Sequence, residues 1–222
     1  MQVTLGEADL VTKEIWNEQG TEESIEGAQA YRAGAYGLLA ALLRSPPDQA
    51  VLEHIAALSE VSSETDELSV ALSMLGLAAS HCDIDAIDDE YHTLFIGIGR
   101  GELVPYGSWY LTGFLMEKPL GVLRDDLASL GFERNNDVSE PEDHVAALCE
   151  VMALMIGDVQ NTKDGEGYSE QQARFFEAHI GSWADKFFKD LTESKSAVFY
   201  RSVGRLGLAF IEFEKRYLSM SV

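Results

Sequence analysis

The sequence predicts an all-α protein, a single-domain bundle of about nine helices. Apolar residues recur every three or four positions along most of the chain. No segment shows the sustained alternation of a half-buried strand, and no strand–glycine–helix unit occurs. Proline- and glycine-rich stretches separate the periodic segments, and the 222 residues are enough to bury one large core.

The element boundaries follow from where each apolar stripe starts and stops. Residues 1–26 are acidic and weakly patterned and are expected to form an N-terminal arm, which leaves 27–222 for the helical domain. The first helix begins near Ala28 and ends before Pro46, because proline lacks the amide donor and restricts the residue before it. The later predicted helices cover Asp48–Leu58, Leu68–Ala79, Asp83–Ile96, Trp109–Met116, Pro119–Leu130, a segment opened at Ser139, Ser169–Leu191 and Ala197–Leu218.

The helix opened at Ser139 has a distinct start signal. Ser139 with Glu142 three residues later fits a capping box, with Pro141 in the first turn. The helix carries Met152 on its apolar face, and we expect Leu94, Phe95 and Met152 to contribute to one continuous core or groove wall.

The charge of the chain excludes some partners. The net charge is −22, from 38 acidic and 16 basic residues. Such a field repels phosphate backbones and anionic membranes and attracts cationic peptides. A surface that serves only solubility, or a saline habitat, would explain the same charge. No apolar run approaches the ~20 residues that span a bilayer, and Met1–Asn17 lacks the pattern of a secretory signal. We therefore expect a cytoplasmic protein that makes no stable membrane insertion and binds no nucleic acid.

Catalytic and metal-binding patterns are weak. The glycine-rich stretch at 97–101 lacks the Lys-Ser/Thr ending of a phosphate-binding loop and follows a helix. Of the five histidines only His92, with Asp89 three residues before it, could share a helix face with a second ligand, and one pair does not make a metal site. The two cysteines belong to no C-x-x-C pair. We expect no catalytic residue, no metal and no cofactor.

Two segments point to binding. Leu94 and Phe95 precede the glycine-rich stretch, and Pro105 and Tyr106 follow it, which favours either a peptide groove or an ordinary core edge. The acidic run Glu140–His144 suits the positive end of a helix dipole, but it is also well placed to bind an arginine through charge-assisted hydrogen bonds.

The same segments resemble the signatures of a known family. The first reads Glu90-Tyr91-x-x-Leu94-Phe95-x-Gly97-x-Gly99 and continues to Pro105-Tyr106-x-Ser108. The second reads Glu140-Pro141-Glu142-Asp143-His144-x-x-x-Leu148-x-x-x-Met152, and a weaker third reads Phe175-Phe176-x-x-His179-x-x-x-Trp183. In order and separation they resemble the TorD/DmsD family of redox-enzyme maturation chaperones, over roughly residues 28–218.

The resemblance implies an all-helical, non-enzymatic chaperone for molybdenum-cofactor oxidoreductases of the dimethyl sulfoxide/trimethylamine N-oxide reductase type. Its partners would be the twin-arginine signal peptide and the apoenzyme, and it would assist cofactor insertion and delay export. Carried over residue by residue, the implied peptide-binding set is Tyr91, Leu94, Phe95, Gly97, Gly99, Pro105, Tyr106, Ser108, Glu140, Asp143 and His144. On this basis Asp143→Asn and His144→Ala are predicted to impair client binding far more than folding.

Two departures from the family pattern affect the loop. Ile98 stands where the family often has proline, and Gly107 where a larger residue is common. The alternatives are a nucleotide-dependent maturation factor with weak GTP binding, and a non-catalytic interaction module for another redox enzyme. A monomer and a homodimer, domain-swapped or not, are both compatible with the sequence.

Overall fold

The computed structural model describes residues 22–58, 66–98, 100–133, 140–159 and 166–220. These residues form ten α-helices and one π-helical segment, His92–Ile96, and none of them forms a β-strand. The helices are α1 (Glu22–Arg44), α2 (Gln49–Leu58), α3 (Glu67–His81), α4 (Ile84–Tyr91), α5 (Gly107–Thr112), α6 (Lys118–Ser129), α7 (Val145–Val159), α8 (Glu166–His179), α9 (Ala184–Glu193) and α10 (Phe199–Met220). The predicted all-α class is confirmed.

One hydrophobic core joins the helices. α1 packs along α7, and α10 packs against α9 and α3. Leu94 and Met152 are fully buried members of this core, and Phe95 packs against it, as their helical spacing predicted. The aromatic rings of α9 and α10 supply much of its volume, and large aromatic side chains bury the most apolar area per residue.

A buried ionic cluster connects three helices inside this core. Arg32 on α1 donates from Nε and Nη2 to the two carboxylate oxygens of Glu214 on α10, at 2.6 and 2.8 Å, and both side chains are fully buried. The Tyr36 hydroxyl donates to the same carboxylate, and Arg32 also donates to Gln172 on α8. Removing one partner of such a pair would leave an uncompensated buried charge, which is strongly destabilising.

Some helix boundaries differ from the predicted ones. α1 begins at Glu22 and not near Ala28. The predicted helix Asp83–Ile96 is α4, capped by the Asp83 carboxylate, followed by the π-helical segment. The predicted helix Ser169–Leu191 is two helices, α8 and α9. Gly181 lies at the break, where a Cβ atom would come within 2.9 Å of the Phe176 ring.

The helix predicted to open at Ser139 begins later, at Val145. Pro141 and Glu142 precede the helix, and the Ala146 amide donates to His144 Nδ1 at 3.1 Å, so His144 acts as the N-cap. Ser139 lies outside the described residues, as do Gly99 and the first 21 residues of the predicted arm.

Within the described part of the chain, no helix alone has the length and apolarity to cross a bilayer. One pair of helical segments, Glu67–His81 and Ile84–Ile96, meets those two criteria only when taken together, and it is bent by 116°.

Candidate functional site

Two of the segments singled out in the sequence lie side by side. Tyr106 and His144 form an isolated antiparallel bridge. The Gly107 amide donates to the Asp143 carbonyl at 2.9 Å, and the Val145 amide donates to the Pro105 carbonyl at 2.8 Å. The backbone thus joins the starts of α5 and α7, although the two segments are far apart in the sequence.

Asp143 and Ser108 meet at this junction. Asp143 is 3% exposed, and its Oδ2 accepts a hydrogen bond from the Ser108 amide at 2.7 Å. Its Oδ1, like the Oγ of the fully buried Ser108, has no hydrogen-bond partner among the described residues. A buried polar atom without a partner is unfavourable by about 1–3 kcal/mol, so two of them in one place are suited to a ligand that brings hydrogen-bond donors.

These two residues line a pocket of about 220 Å³ between α5, α6 and the end of α8. Its walls are mostly apolar, and they are formed by Leu111, Pro119, Val122, Leu123, Leu148 and Trp183. An apolar pocket with a few convergent polar groups is the usual form of a binding site in proteins.

Helix α6 forms one wall of the pocket. Polar contacts connect it to the segment before α7 and to the end of α8. Arg124 Nη2 lies 2.9 Å from a Glu142 carboxylate oxygen. His179 Nε2 lies 2.7 Å from Asp126 Oδ2. The third segment singled out in the sequence therefore reaches the site, since His179 and Trp183 both line the pocket.

His144 lies behind the pocket and does not line it. Its ring packs edge-on against Tyr106, with ring centroids 4.9 Å apart. Burial, assisted by the positive charge of Arg44, lowers the pKa of His144 to about 4. The imidazole is therefore neutral at pH 7, and its contacts orient the junction.

Tyr91, Leu94 and Phe95 lie in the core. The Tyr91 hydroxyl donates to the Arg44 carbonyl at the end of α1, at 2.8 Å. Leu94 is fully buried, and the half-buried Phe95 ring packs against Tyr91 and Tyr200. These three residues support the helices around the site and do not line the pocket.

The glycine-rich stretch forms a tight turn. Gly97 has φ of +60°, and a Cβ atom there would come within 2.2 Å of the Arg100 carbonyl oxygen. A Cβ atom at Gly101 would come within 2.4 Å of the Leu94 carbonyl oxygen. The Arg100 guanidinium lies 4.9 Å from the centroid of the Trp109 ring on α5. The turn therefore requires glycine at two positions and connects the π-helical segment to α5.

Glu140 is exposed at the edge of the junction. Burial raises the pKa of the Tyr106 hydroxyl to about 12, and the negative charges of Glu140 and Asp143 add to the effect. Glu140 also contributes to the raised pKa of Tyr91. Glu140 therefore adds negative charge to the surroundings of both tyrosine hydroxyls.

The sequence did not predict which residues form the walls of the pocket. Leu111, Val122 and Leu123 belong to helices that were predicted, but nothing in their spacing distinguished them from ordinary core residues. No signal in the sequence would have separated these wall residues from the core.

The described residues thus form an all-helical protein with a mostly apolar pocket that contains Asp143 and Ser108. The chain belongs to the family described as nitrate reductase delta subunit, whose model matches residues 46–189. Curated relatives are TorD chaperones: that of Vibrio cholerae is 28% identical over 150 residues, and that of Vibrio vulnificus strain CMCP6 is 30% identical over 152. These alignments cover 66% of this chain and 64% and 66% of the two relatives.

A solved structure described as a redox enzyme maturation protein of Archaeoglobus fulgidus has a TM-score of 0.49 and 19% identity, covering 90% of this chain and 99% of that one. The resemblance to the TorD/DmsD family is confirmed by the family model and the curated relatives together. Those relatives are named as chaperones, and the alignments span less than two thirds of their length.

Proposed function

We propose that the protein is a cytoplasmic chaperone for a molybdenum-cofactor oxidoreductase of the dimethyl sulfoxide/trimethylamine N-oxide reductase type. It binds the twin-arginine signal peptide, the apoenzyme or both, assists cofactor insertion and delays export. The observation that carries the proposal is a pair of buried oxygens beside an apolar pocket, Asp143 Oδ1 and Ser108 Oγ, which have no hydrogen-bond partner within the described part of the chain.

An arginine side chain fits the chemistry of this pocket. Its guanidinium presents five N–H donors, and Asp143 Oδ1 and Ser108 Oγ are acceptors without donors among the described residues. Its aliphatic stem would lie against apolar walls such as Leu111 and Val122. A hydrogen bond to a charged group contributes about 1.5–3 kcal/mol, which corresponds to roughly ten- to a hundredfold in affinity.

The implied site residues take different parts in this proposal. Ser108 and Asp143 contact the ligand, and Glu140 attracts its cationic end. Pro105, Tyr106 and His144 hold the junction between α5 and α7, and Gly97 shapes the turn that precedes it. Tyr91, Leu94 and Phe95 act through the core, as positioning residues. Gly99, outside the described residues, is kept in the set only on the resemblance.

The test is calorimetric titration of a synthetic twin-arginine leader into the wild-type protein and into Asp143→Asn. We expect the variant to bind roughly tenfold or more weakly while its melting temperature changes little, because asparagine keeps the shape and one acceptor oxygen. Asp89→Asn is the matched control, since Asp89 is an exposed carboxylate on α4 that lines neither the pocket nor its walls.

If wild type and Asp143→Asn bind the leader with equal affinity, the pocket is not where the arginine binds. A leader whose two arginines are replaced by glutamine should bind both proteins equally weakly. Hydrolysis of GTP by the pure protein would instead favour a nucleotide-dependent maturation factor.

A further inference from the structure

A patch of large apolar side chains lies in solvent next to the pocket. Its members are between 43% and 71% exposed, and we call them the apolar ridge: Leu111, Phe114, Leu115, Met116 and Val122. Four of the five fall within six consecutive residues at the end of α5 and in the turn to α6. Scattered exposed apolar residues need no explanation, but a contiguous group beside a cleft marks an interaction surface.

The turn that carries the ridge is held in one conformation. Gly113 ends α5 with φ of +83°. The Thr112 side chain donates to the Ser108 carbonyl at 2.8 Å and accepts from the Phe114 amide at 3.2 Å. Met116 has φ of +59° and is the one non-glycine residue with positive φ in the part of the chain that the structure describes. Strained backbone of this kind concentrates at functional sites, and here it keeps apolar side chains in solvent.

The ridge is continuous with the pocket. Leu111 and Val122 belong to the ridge and also line the pocket that contains Asp143 and Ser108. At the other end, Met116 lines a second pocket of about 290 Å³ together with Leu120, Gly121 and Arg124 of α6. An elongated ligand whose donor group reaches Asp143 would therefore pass along the ridge.

We propose that the ridge docks the apolar stretch of the client peptide whose cationic side chain enters the pocket. This inference rests on the proposed function and extends the site from one side chain to a surface. The occupant must combine a hydrogen-bond donor for the buried Asp143 Oδ1 with an adjoining apolar run for the ridge. A purely polar cationic peptide would satisfy only the pocket.

A second copy of this chain fits the ridge less well. Each copy carries a net charge of −22. Two copies of this chain therefore repel each other as they approach, which disfavours a two-fold interface. A cationic peptide brings charges of the opposite sign.

The test uses two synthetic peptides, a twin-arginine leader with its apolar stretch and the same leader truncated before that stretch. They are titrated into wild type, Phe114→Ser and Leu115→Ser. Both side chains are exposed, so the substitutions should leave the melting temperature within a few degrees of wild type. Leu77→Ser is the matched control, because Leu77 is a comparably exposed leucine on α3.

We expect the ridge variants to bind the full leader roughly tenfold more weakly than wild type, the loss expected when one of the few residues that dominate an interface is truncated. They should bind the truncated leader as tightly as wild type does. Leu77→Ser should match wild type with both peptides.

Other outcomes separate this inference from the proposed function. If the ridge variants bind the full leader normally while Asp143→Asn does not, the ridge is not part of the site and the proposed function stands. If a ridge variant converts a dimer to a monomer in sedimentation and binds the leader normally, the ridge is a self-association surface and our inference is wrong. If wild type binds neither peptide, the proposed function fails and the inference fails with it.

Discussion

At the scale of single residues, His144 connects the site to the stability of the fold. Its pKa of about 4 in the folded protein lies below the ~6.5 of an exposed histidine, because burial disfavours the charged ring. The unfolded chain therefore binds a proton that the folded protein does not, between about pH 6.5 and 4. The free energy of unfolding should fall as the pH drops through this window, by at most on the order of 3 kcal/mol, and level off below it.

The measurement is urea unfolding at pH 7 and at pH 4.5 for wild type and His144→Asn. Asparagine is a good N-cap residue that does not titrate, so the variant should lose less stability on acidification. His81→Asn, at an exposed position on α3, is the control and should follow wild type. An equal loss in His144→Asn would assign the acid sensitivity to other groups.

Gly107 is a second single residue on which the shape of the pocket depends. A Cβ atom there would lie 3.1 to 3.4 Å from three atoms of the Trp183 indole, and both residues line the pocket. Gly107→Ala should push the indole by a few tenths of an ångström and weaken leader binding several-fold, with a small change in melting temperature. Gly157→Ala on α7, where a Cβ atom meets nothing within 4 Å, should bind normally. Unchanged binding by Gly107→Ala would show that the indole position does not matter.

At the scale of elements, Glu90 connects α4 to the start of α10. Its carboxylate accepts hydrogen bonds from the amides of Val198, Phe199 and Tyr200, at 2.8, 3.0 and 2.7 Å. A carboxylate at this end of a 22-residue helix also complements the helix dipole. A glutamine would keep the shape of this contact and remove its charge.

Glu90→Gln should therefore lower the melting temperature clearly. Glutamine offers one acceptor oxygen in place of two, so at least one buried amide loses its partner, at about 1–3 kcal/mol. For a protein of this size that corresponds to a decrease of several degrees. Asp89→Asn, an exposed neighbour on the same helix, should melt as wild type does. Matching melting curves for the two variants would mean that the cap contributes nothing.

The helix positions show how much of the fold the sequence patterns could predict. The apolar stripes gave the all-α class and most helix positions, because a stripe of period 3.6 reports directly on burial. The break between α8 and α9 was missed because it depends on Gly181 approaching the Phe176 ring, a contact that propensity does not encode. The start of α7 was placed too early because Ser139 with Glu142 fitted a capping box, whereas His144 provides the cap.

The sequence predicted only part of the candidate site. Asp143 and Ser108 were both chosen from signature segments, and the structure brings them into hydrogen-bond contact. Tyr91 and Leu94 came from the same signature, yet they lie in the core, because a motif does not distinguish residues that touch a ligand from residues that hold the helices. The ridge was missed because exposure of Phe114 and Met116 results from the backbone of one turn.

At the scale of the whole molecule, the charge of the chain and the chemistry of the site act over different distances. The net charge of −22 acts on an approaching peptide over about one Debye length, which is ~10 Å at 0.1 M salt and ~3 Å at 1 M. The contact between a ligand and the buried Asp143 is screened far less, because water and ions are excluded there.

Salt should therefore change the association rate constant of a twin-arginine leader far more than its dissociation rate constant. Electrostatic steering raises association rates by about 10- to 1000-fold, so we expect a fall of at least roughly tenfold between low salt and 1 M. Surface plasmon resonance over a salt series measures both rate constants, and a leader with its arginines replaced by glutamine is the control that should show a weaker dependence. If the association rate stays constant over the series, the acidic surface has no part in recognition and serves solubility or a saline habitat. If the dissociation rate rises as steeply as the association rate falls, the arginine is held at an exposed carboxylate such as Glu140 and not in the pocket beside Asp143.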